Sequence, residues 1–207
     1  MPTDKENPET IIGLYQRHAD AWDRDRRAEL ITERAWMDRF TALLQPGASI
    51  LDIGCGSGQP IAKYLIERGY KVTGVDSSPP LIEKCRARFP NNEWIVADMR
   101  ALSLNKTFDA LIAWDSFFHL SHDAQRAMFP IFKQHANDGA PLLFTTGPEH
   151  RVAMGEFHGE PLYHASLSIQ EYRELLSSQG FSVIANTIED PECGGHTVWL
   201  AQCLSVG

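Results

Sequence analysis

One eight-residue run constrains this chain more than any other: Leu51-Asp52-Ile53-Gly54-Cys55-Gly56-Ser57-Gly58. A short apolar stretch from Ser49 to Ile53 enters a turn with glycine at alternate positions, and a helical pattern begins at Pro60. Glycine in such a turn lets the backbone bend tightly and approach a ligand with no Cβ in the way. A strand of this kind, buried on both faces and delivered by a tight turn into a helix, belongs to a parallel sheet covered by helices.

The rest of the chain repeats the alternation. Strand patterns cover 49–53, 71–75, 94–97, 110–113 and 141–145, and helical patterns cover 60–68, 79–88 and 121–135, with Pro130 expected to kink the last. A helix from 169 to 179 closes at Gly180, and strands at 181–187 and 197–203 form a hairpin around Asp190-Pro191. The expected fold is therefore α/β: a doubly wound, mostly parallel seven-stranded sheet with helices on both faces and a C-terminal β-hairpin. Residues 1–47 read as an N-terminal helical cap. Its first helix starts at Asn7-Pro8, with Ile11, Ile12, Tyr15, Ala19 and Trp22 at helical spacing, and a second covers 28–44. Residues 48–207 read as the core of a single domain. The stretch 147–166, rich in Gly and His, reads as irregular and as a polar lid, because long loops in compact domains are usually functional or disordered.

Composition narrows the partners. The 207 residues carry 19 basic and 27 acidic side chains, a formal net charge of −8, which disfavours a nucleic-acid partner. Arg24, Arg26 and Arg27 alternate with Asp23, Asp25 and Glu29 and read as a solvated helix face. No apolar run approaches the ~20 residues of a membrane span, and residues 1–10 lack a signal-peptide core. Cys55, Cys85, Cys193 and Cys203 stand far apart, which suits reduced thiols and a cytoplasmic protein. Cys193 and His196 form a lone Cys-x-x-His with no further ligand adjacent, so no metal site is expected.

Ligands of doubly wound sheets bind beyond the carboxyl ends of the strands, and four motifs fall there. The dinucleotide fingerprint Gly-x-Gly-x-x-Gly needs a sixth-position glycine, but this chain has Gln59 there and reads Gly-x-Gly-x-Gly, with Asp52 ahead. That motif resembles the first motif of class I S-adenosylmethionine-dependent methyltransferases, and the resemblance runs from Ser49 to Leu200. It implies S-adenosylmethionine as cofactor, with Gly54, Cys55, Gly56 and Gly58 against its methionine and ribose part and Asp52 within reach of its amino group. Asp76 and Ser77 end the second strand. A carboxylate about 20 residues past the glycine turn can accept from both ribose hydroxyls, although either residue would also cap the next helix. Asp98 and Met99, after the third strand, resemble the family's adenine site. Trp114, after the fourth, is expected as a further cofactor contact. Tyr15 and Trp22 either pack as core or lid, or close over the cofactor, where an aromatic face beside a sulfonium is favourable.

Asp115 and His119 stand where the family places the transferable methyl, and either is a candidate base; His is suited to taking a proton near neutral pH. Packing against the following helix is the alternative for His119. The motif Trp114-Asp115-Ser116-Phe117 departs from the Asn-Pro-Pro-Tyr type, which weakens nucleobase and glutamine acceptors. The sequence thus points to methyl transfer onto an O, N or S atom of a small molecule, by a monomer or homodimer. The rivals are an NAD(P)-dependent oxidoreductase, which lacks its fingerprint and a Tyr-x-x-x-Lys pair here, a non-catalytic cofactor-binding regulator, and a methyltransferase for RNA or protein.

Overall fold

A computed structural model describes residues 8–26 and 28–205. The helices are α1 (Thr10–Arg17), α2 (Ala19–Asp25), α3 (Arg34–Thr41), α4 (Ile61–Glu67), α5 (Pro79–Arg88), α6 (His122–His135) and α7 (Ile169–Ser178). The strands are β1 (Ser49–Ile53), β2 (Lys71–Asp76), β3 (Glu93–Val96), β4 (Ala110–Ala113), β5 (Pro141–Thr146), β6 (Arg151–Phe157), β7 (Glu160–Ser166), β8 (Phe181–Asp190) and β9 (His196–Cys203).

Seven strands form one sheet in the order β3-β2-β1-β4-β5-β9-β8, with β8 and β9 antiparallel and the first five parallel. Side chains alternate across it. Leu51, Ile53, Leu111, Ala113, Leu142 and Phe144 face a core completed by Met128, Phe129 and Phe132 of α6 and Tyr172 and Leu176 of α7. Ile50, Ile112, Leu143, Val198 and Leu200 face the other side, against Trp36, Met37 and Phe40 of α3 and Ile61, Ala62 and Leu65 of α4. Two-sided burial is why these strands read as continuous apolar runs. The strand order reverses between β1 and β4, and that crevice is where such sheets hold ligands.

Local chemistry sets several boundaries. Ser121 and Ser168 cap α6 and α7 by accepting from the backbone amides of Ala124 and Glu171. Pro79 and Pro80 open α5, where a missing amide hydrogen costs nothing. The helix α6 runs on through Pro130.

Four expectations need correction. The first helix is broken at His18 (φ −105°, ψ 19°) into α1 and α2; its expected cap, Asn7, lies outside the described residues. The second helix is only Arg34–Thr41, because 28–33 is a series of bends. The stretch 147–166 is not irregular: β6 and β7 pair as an antiparallel hairpin from Arg151↔Ser166 to Phe157↔Glu160. Arg26 is not on a solvated face, as shown below. Among the described residues, no helix is long and apolar enough to cross a membrane.

Candidate active site

The backbone after β1 builds the floor of a cleft. The amides of Gly54 and Cys55 both donate to the Val75 carbonyl, at 2.7 and 3.0 Å, which locks the glycine turn to the end of β2. Gly54 has φ +79°, and a Cβ there would sit 2.2 Å from Cβ of Ser116. Gly56 has φ +55°, and a Cβ would stand 3.1 Å from Nε1 of Trp22. Glycine is thus required twice, for conformation and for clearance. Ser116 Oγ donates to the Ile53 carbonyl at 2.7 Å and ties the ends of β1 and β4 together.

The cleft has a volume of about 820 Å³ counted to its mouth, and the ends of β1, β2, β3 and β4 all reach it. Gly54, Gly56, Asp76, Ser77, Asp98, Met99, Asp115 and His119 line it, with Tyr15 and Trp22 above them. A smaller chamber of about 350 Å³ shares the walls Trp22, Gly54, Gly56 and Asp115 and adds Arg26, Asp52, Cys55, Gln59 and Trp114. Thirteen of the fourteen candidate residues border these two spaces. The exception is Gly58, which packs under the turn against Phe89 and Cys85.

The carboxylates differ in how far they are committed. Asp76 accepts from the Gly56 amide at 2.9 Å and the Ser78 amide at 2.8 Å, so it braces both the glycine turn and the start of α5. Asp98 is gripped by Arg100, whose Nε lies 3.0 and 2.9 Å from its two oxygens and whose Nη2 lies 2.6 Å from one. Arg100 also pairs with Glu9, linking β3 to the start of α1. Burial opposes the charge on Asp98, but the Arg100 hydrogen bonds hold its carboxyl below the usual range. Asp52 is buried and makes no hydrogen bond among the described residues. Burial, and then the charge of Asp76, push its carboxyl up to about 7.

A half-buried ion cluster closes the end of β4. Asp115 sits at φ +49° and its amide donates to Thr145 Oγ1 at 2.9 Å. Its carboxylate meets Arg26 Nη1 at 3.2 Å and His196 Nε2 at 2.9 Å. Arg26, 20% exposed, thus turns inward, with its guanidinium 5.4 Å from the Trp22 ring centre. Nδ1 of His196 lies 2.6 Å from the Cys193 carbonyl, so both ring nitrogens face acceptors and the ring is an imidazolium. Its close pairing with the Asp115 carboxylate raises its pKa to about 9. Burial resists the charge on Asp115, but His196 and then Arg26 keep it ionised below the ordinary carboxylate range. Asp115 is therefore a held anion, a weak acceptor of protons.

His119 is arranged differently. Its Nδ1 faces the Tyr163 carbonyl at 2.9 Å, which assigns the ring proton there. Nε2 is then the acceptor for the Tyr15 hydroxyl at 2.9 Å. Burial lowers its pKa to about 4, leaving a neutral ring, and burial, then Asp115 and Asp76, raise Tyr15. Tyr15 crosses Trp22 edge to face at 5.2 Å, and Phe157 at the hairpin tip lies 6.0 Å from both. Arg17 and His18 pair with Glu160, and His158 Nε2 meets Asp25 at 3.0 Å, so α1 and α2 are fastened to the β6–β7 hairpin.

The sequence did not single out Arg26, Arg100 or His164, and it left His196 without a role. Arg26, His164 and His196 act through partners more than forty residues away, whereas Arg100 grips Asp98 two residues before it. The only local hint was the charge alternation around Arg26, which equally describes a solvated face. Cys193 and His196 meet through a backbone carbonyl rather than through sulfur. Among the described residues no group of three or more His, Cys, Asp or Glu is placed to hold a metal ion.

Residues 50–139 match the family described as "Methyltransferase domain". The chain is 27% identical over 142 residues to the malonyl-[acyl-carrier protein] O-methyltransferase of Salmonella typhimurium, covering 68% of this chain and 54% of that one. It is 33% identical over 141 residues to the trans-aconitate 2-methyltransferase of Azoarcus sp., covering 63% and 54%. The chain thus spans about half the length of these relatives. Among solved structures it resembles the 1,6-didemethyltoxoflavin-N1-methyltransferase of Burkholderia thailandensis bound to S-adenosylhomocysteine. That likeness has a TM-score of 0.69 and 20% identity, over 96% of this chain and 87% of that one. Residues 50–139 thus match a methyltransferase domain, and the sheet order and strand-end turns are those of a Rossmann-like methyltransferase fold.

Proposed function

We propose that this chain transfers a methyl group from S-adenosylmethionine to an O, N or S atom of a small molecule held beside Tyr15 and His119. The observation that carries the reading is the smaller chamber. There the Trp114 indole N–H is buried without a hydrogen-bond partner, and the Asp52 carboxylate has none either among the described residues. A buried donor and a buried acid left unmatched are costly, and an amino-acid end, with its carboxylate and ammonium, answers both. The glycine turn, Asp76 with Ser77, and Asp98 with Met99 would hold the ribose and adenine parts in the larger cleft.

When bound, S-adenosylmethionine supplies a methyl already activated on a sulfonium. The chain's own residues then have to orient the acceptor and exclude water. Asp52, Asp76, Asp98 and Asp115 outnumber Arg26 and Arg100 in the walls of the cleft and chamber, an excess of carboxylates suited to a cationic ligand. Tyr15 and Trp22 roof it, and the hairpin tip holds the roof down. We read α1, α2 and the β6–β7 hairpin together as a lid over the reacting atoms. Nε2 of His119 can take a proton from an acceptor once the Tyr15 hydroxyl turns away. The two acid-named relatives place small acids among the acceptors to be tried. We further propose a cytoplasmic enzyme, monomeric or homodimeric, with no nucleic-acid partner.

The test is to incubate the protein with S-adenosylmethionine and a panel of small acids, amines, phenols and thiols, following S-adenosylhomocysteine release. Acceptor-dependent release supports the reading. Cofactor binding without release above the acceptor-free rate, for every class, overturns it.

A further inference from the structure

A third space lies behind the catalytic end of the cleft. It has a volume of about 550 Å³ to its mouth and is lined by Phe118, Thr146, Gly147, Arg151, His164 and Ser166, among others. Only one aromatic layer separates it from the cleft. The rings of His119 and His164 stack at 4.9 Å and 27°, and Phe118 meets their edges at 4.9 and 5.2 Å. His119 faces the cleft; Phe118 and His164 face this compartment.

The charges on the two sides are opposite. Four carboxylates, Glu9, Asp76, Asp98 and Asp115, line the cleft against one guanidinium, Arg100, which pairs with two of them. No described carboxylate lines the compartment, which carries the Arg151 guanidinium instead. Arg151 has one acidic neighbour, Glu149 at 3.5 Å, and both are more than half exposed, so the pair holds the guanidinium weakly. The hydroxyls present are already occupied. Ser166 accepts from the Gly147 amide at 2.6 Å, and Thr146 donates to the Gly147 carbonyl while accepting from Trp199. His164 makes no hydrogen bond among the described residues, and burial lowers its pKa, so a neutral ring offers one N–H to the compartment. Two donors, the His164 ring and a planar guanidinium that Glu149 holds only weakly and that is suited to bidentate pairing, stand against the apolar faces of Phe118, Ala153 and Ala165.

We propose that this compartment binds the carboxylate of the methyl acceptor, with Arg151 and His164 as its recognition residues. The acceptor is then a small carboxylic acid whose reacting atom reaches past His164 to the Tyr15–His119 end of the cleft. The charge partition keeps the two ligands apart: the acid-lined cleft repels the acceptor's carboxylate, and the compartment repels a cationic cofactor. This assignment rests on the methyltransferase reading above.

Glutarate and benzoate are titrated into the protein by calorimetry and by following the ring resonances of His164, each with and without saturating S-adenosylhomocysteine. At least one of the two acids binds saturably, moves the His164 resonances, and loses tenfold or more of its affinity in Arg151→Gln. Arg151→Lys restores part of the loss, and both variants keep wild-type affinity for S-adenosylhomocysteine. Neither acid binding, equal binding to Arg151→Gln, or tighter binding of 1,5-diaminopentane overturns the assignment. Failure of S-adenosylhomocysteine to bind would instead overturn the methyltransferase reading, and the acid titrations on the free protein report on the compartment independently.

Discussion

Replacing His196 with glutamine isolates the ion cluster that fixes the end of β4. The imidazolium holds its proton to about pH 9 because Asp115 lies 2.9 Å away, whereas a free ring releases it near 6.5. That difference is worth ~3 kcal/mol, and with the ring 30% exposed to solvent, screening reduces it to about 2 kcal/mol. The folded-state pKa is raised, so the contribution is fully present below pH 6.5 and is lost as pH rises through about 9. Asp115 stays ionised throughout that window and adds no slope of its own. The thiols and tyrosines that titrate at high pH do so in both proteins, so the difference between wild type and His196→Gln reports the imidazole alone. Urea unfolding at pH 6.5, 8 and 10 is the assay. The gap is about 2 kcal/mol at pH 6.5, and it closes by pH 10. A gap that stays constant with pH, or a His196 resonance titrating near 6.5 in the folded protein, would refute the reasoning.

Three further outcomes follow from the same geometry. Gly54→Ala places a Cβ 2.2 Å from Ser116 in a backbone with φ +79°, so the turn shifts and S-adenosylhomocysteine affinity falls tenfold or more; calorimetry that finds it within twofold removes the turn from the site. Phe157→Ala unfastens α1 and α2 from the hairpin tip, so trypsin cuts the helices faster, and S-adenosylhomocysteine protects the wild type more than the variant; equal cutting in all conditions counts against a lid. If the acceptor must lose a proton to His119, His119→Ala lowers turnover by ~10²–10⁴ with cofactor affinity unchanged. Because burial holds this ring near 4, the wild-type rate is then level above pH 6, rather than rising through 6–7 as an unperturbed imidazole would give.

The sheet was legible because its strands are buried on both faces. Ser49–Ile53, Ala110–Ala113 and Pro141–Thr146 are continuous apolar runs between glycines, prolines and polar turns, and helices of clear period separate them. The hairpin was not legible for the opposite reason. Its strand β6 is exposed or half-buried along its whole length, and its sequence, Arg-Val-Ala-Met-Gly-Glu-Phe, shows no apolar alternation to read. Its pairing with β7 is a tertiary fact. The break at His18 has no proline or glycine to announce it. At the site, the strand-end motifs were readable because each follows a strand in sequence. The groups that tune them were not. Arg26 reaches Asp115 across 89 residues, and His119 meets His164 only because β7 folds back over the end of β4. Asp98 was matched to the adenine site with no partner of its own in view, but Arg100, two residues on, already grips both its oxygens.

Binding of S-adenosylhomocysteine, compared with NAD by isothermal titration under identical conditions, tests the central claim most directly. The paired motifs at the ends of β1, β2 and β3, with the unmatched Trp114 N–H and Asp52 carboxylate, predict one site of roughly micromolar affinity, ~8 kcal/mol, and no comparable binding of NAD. Tighter binding of NAD, or no saturable binding of S-adenosylhomocysteine, would contradict it.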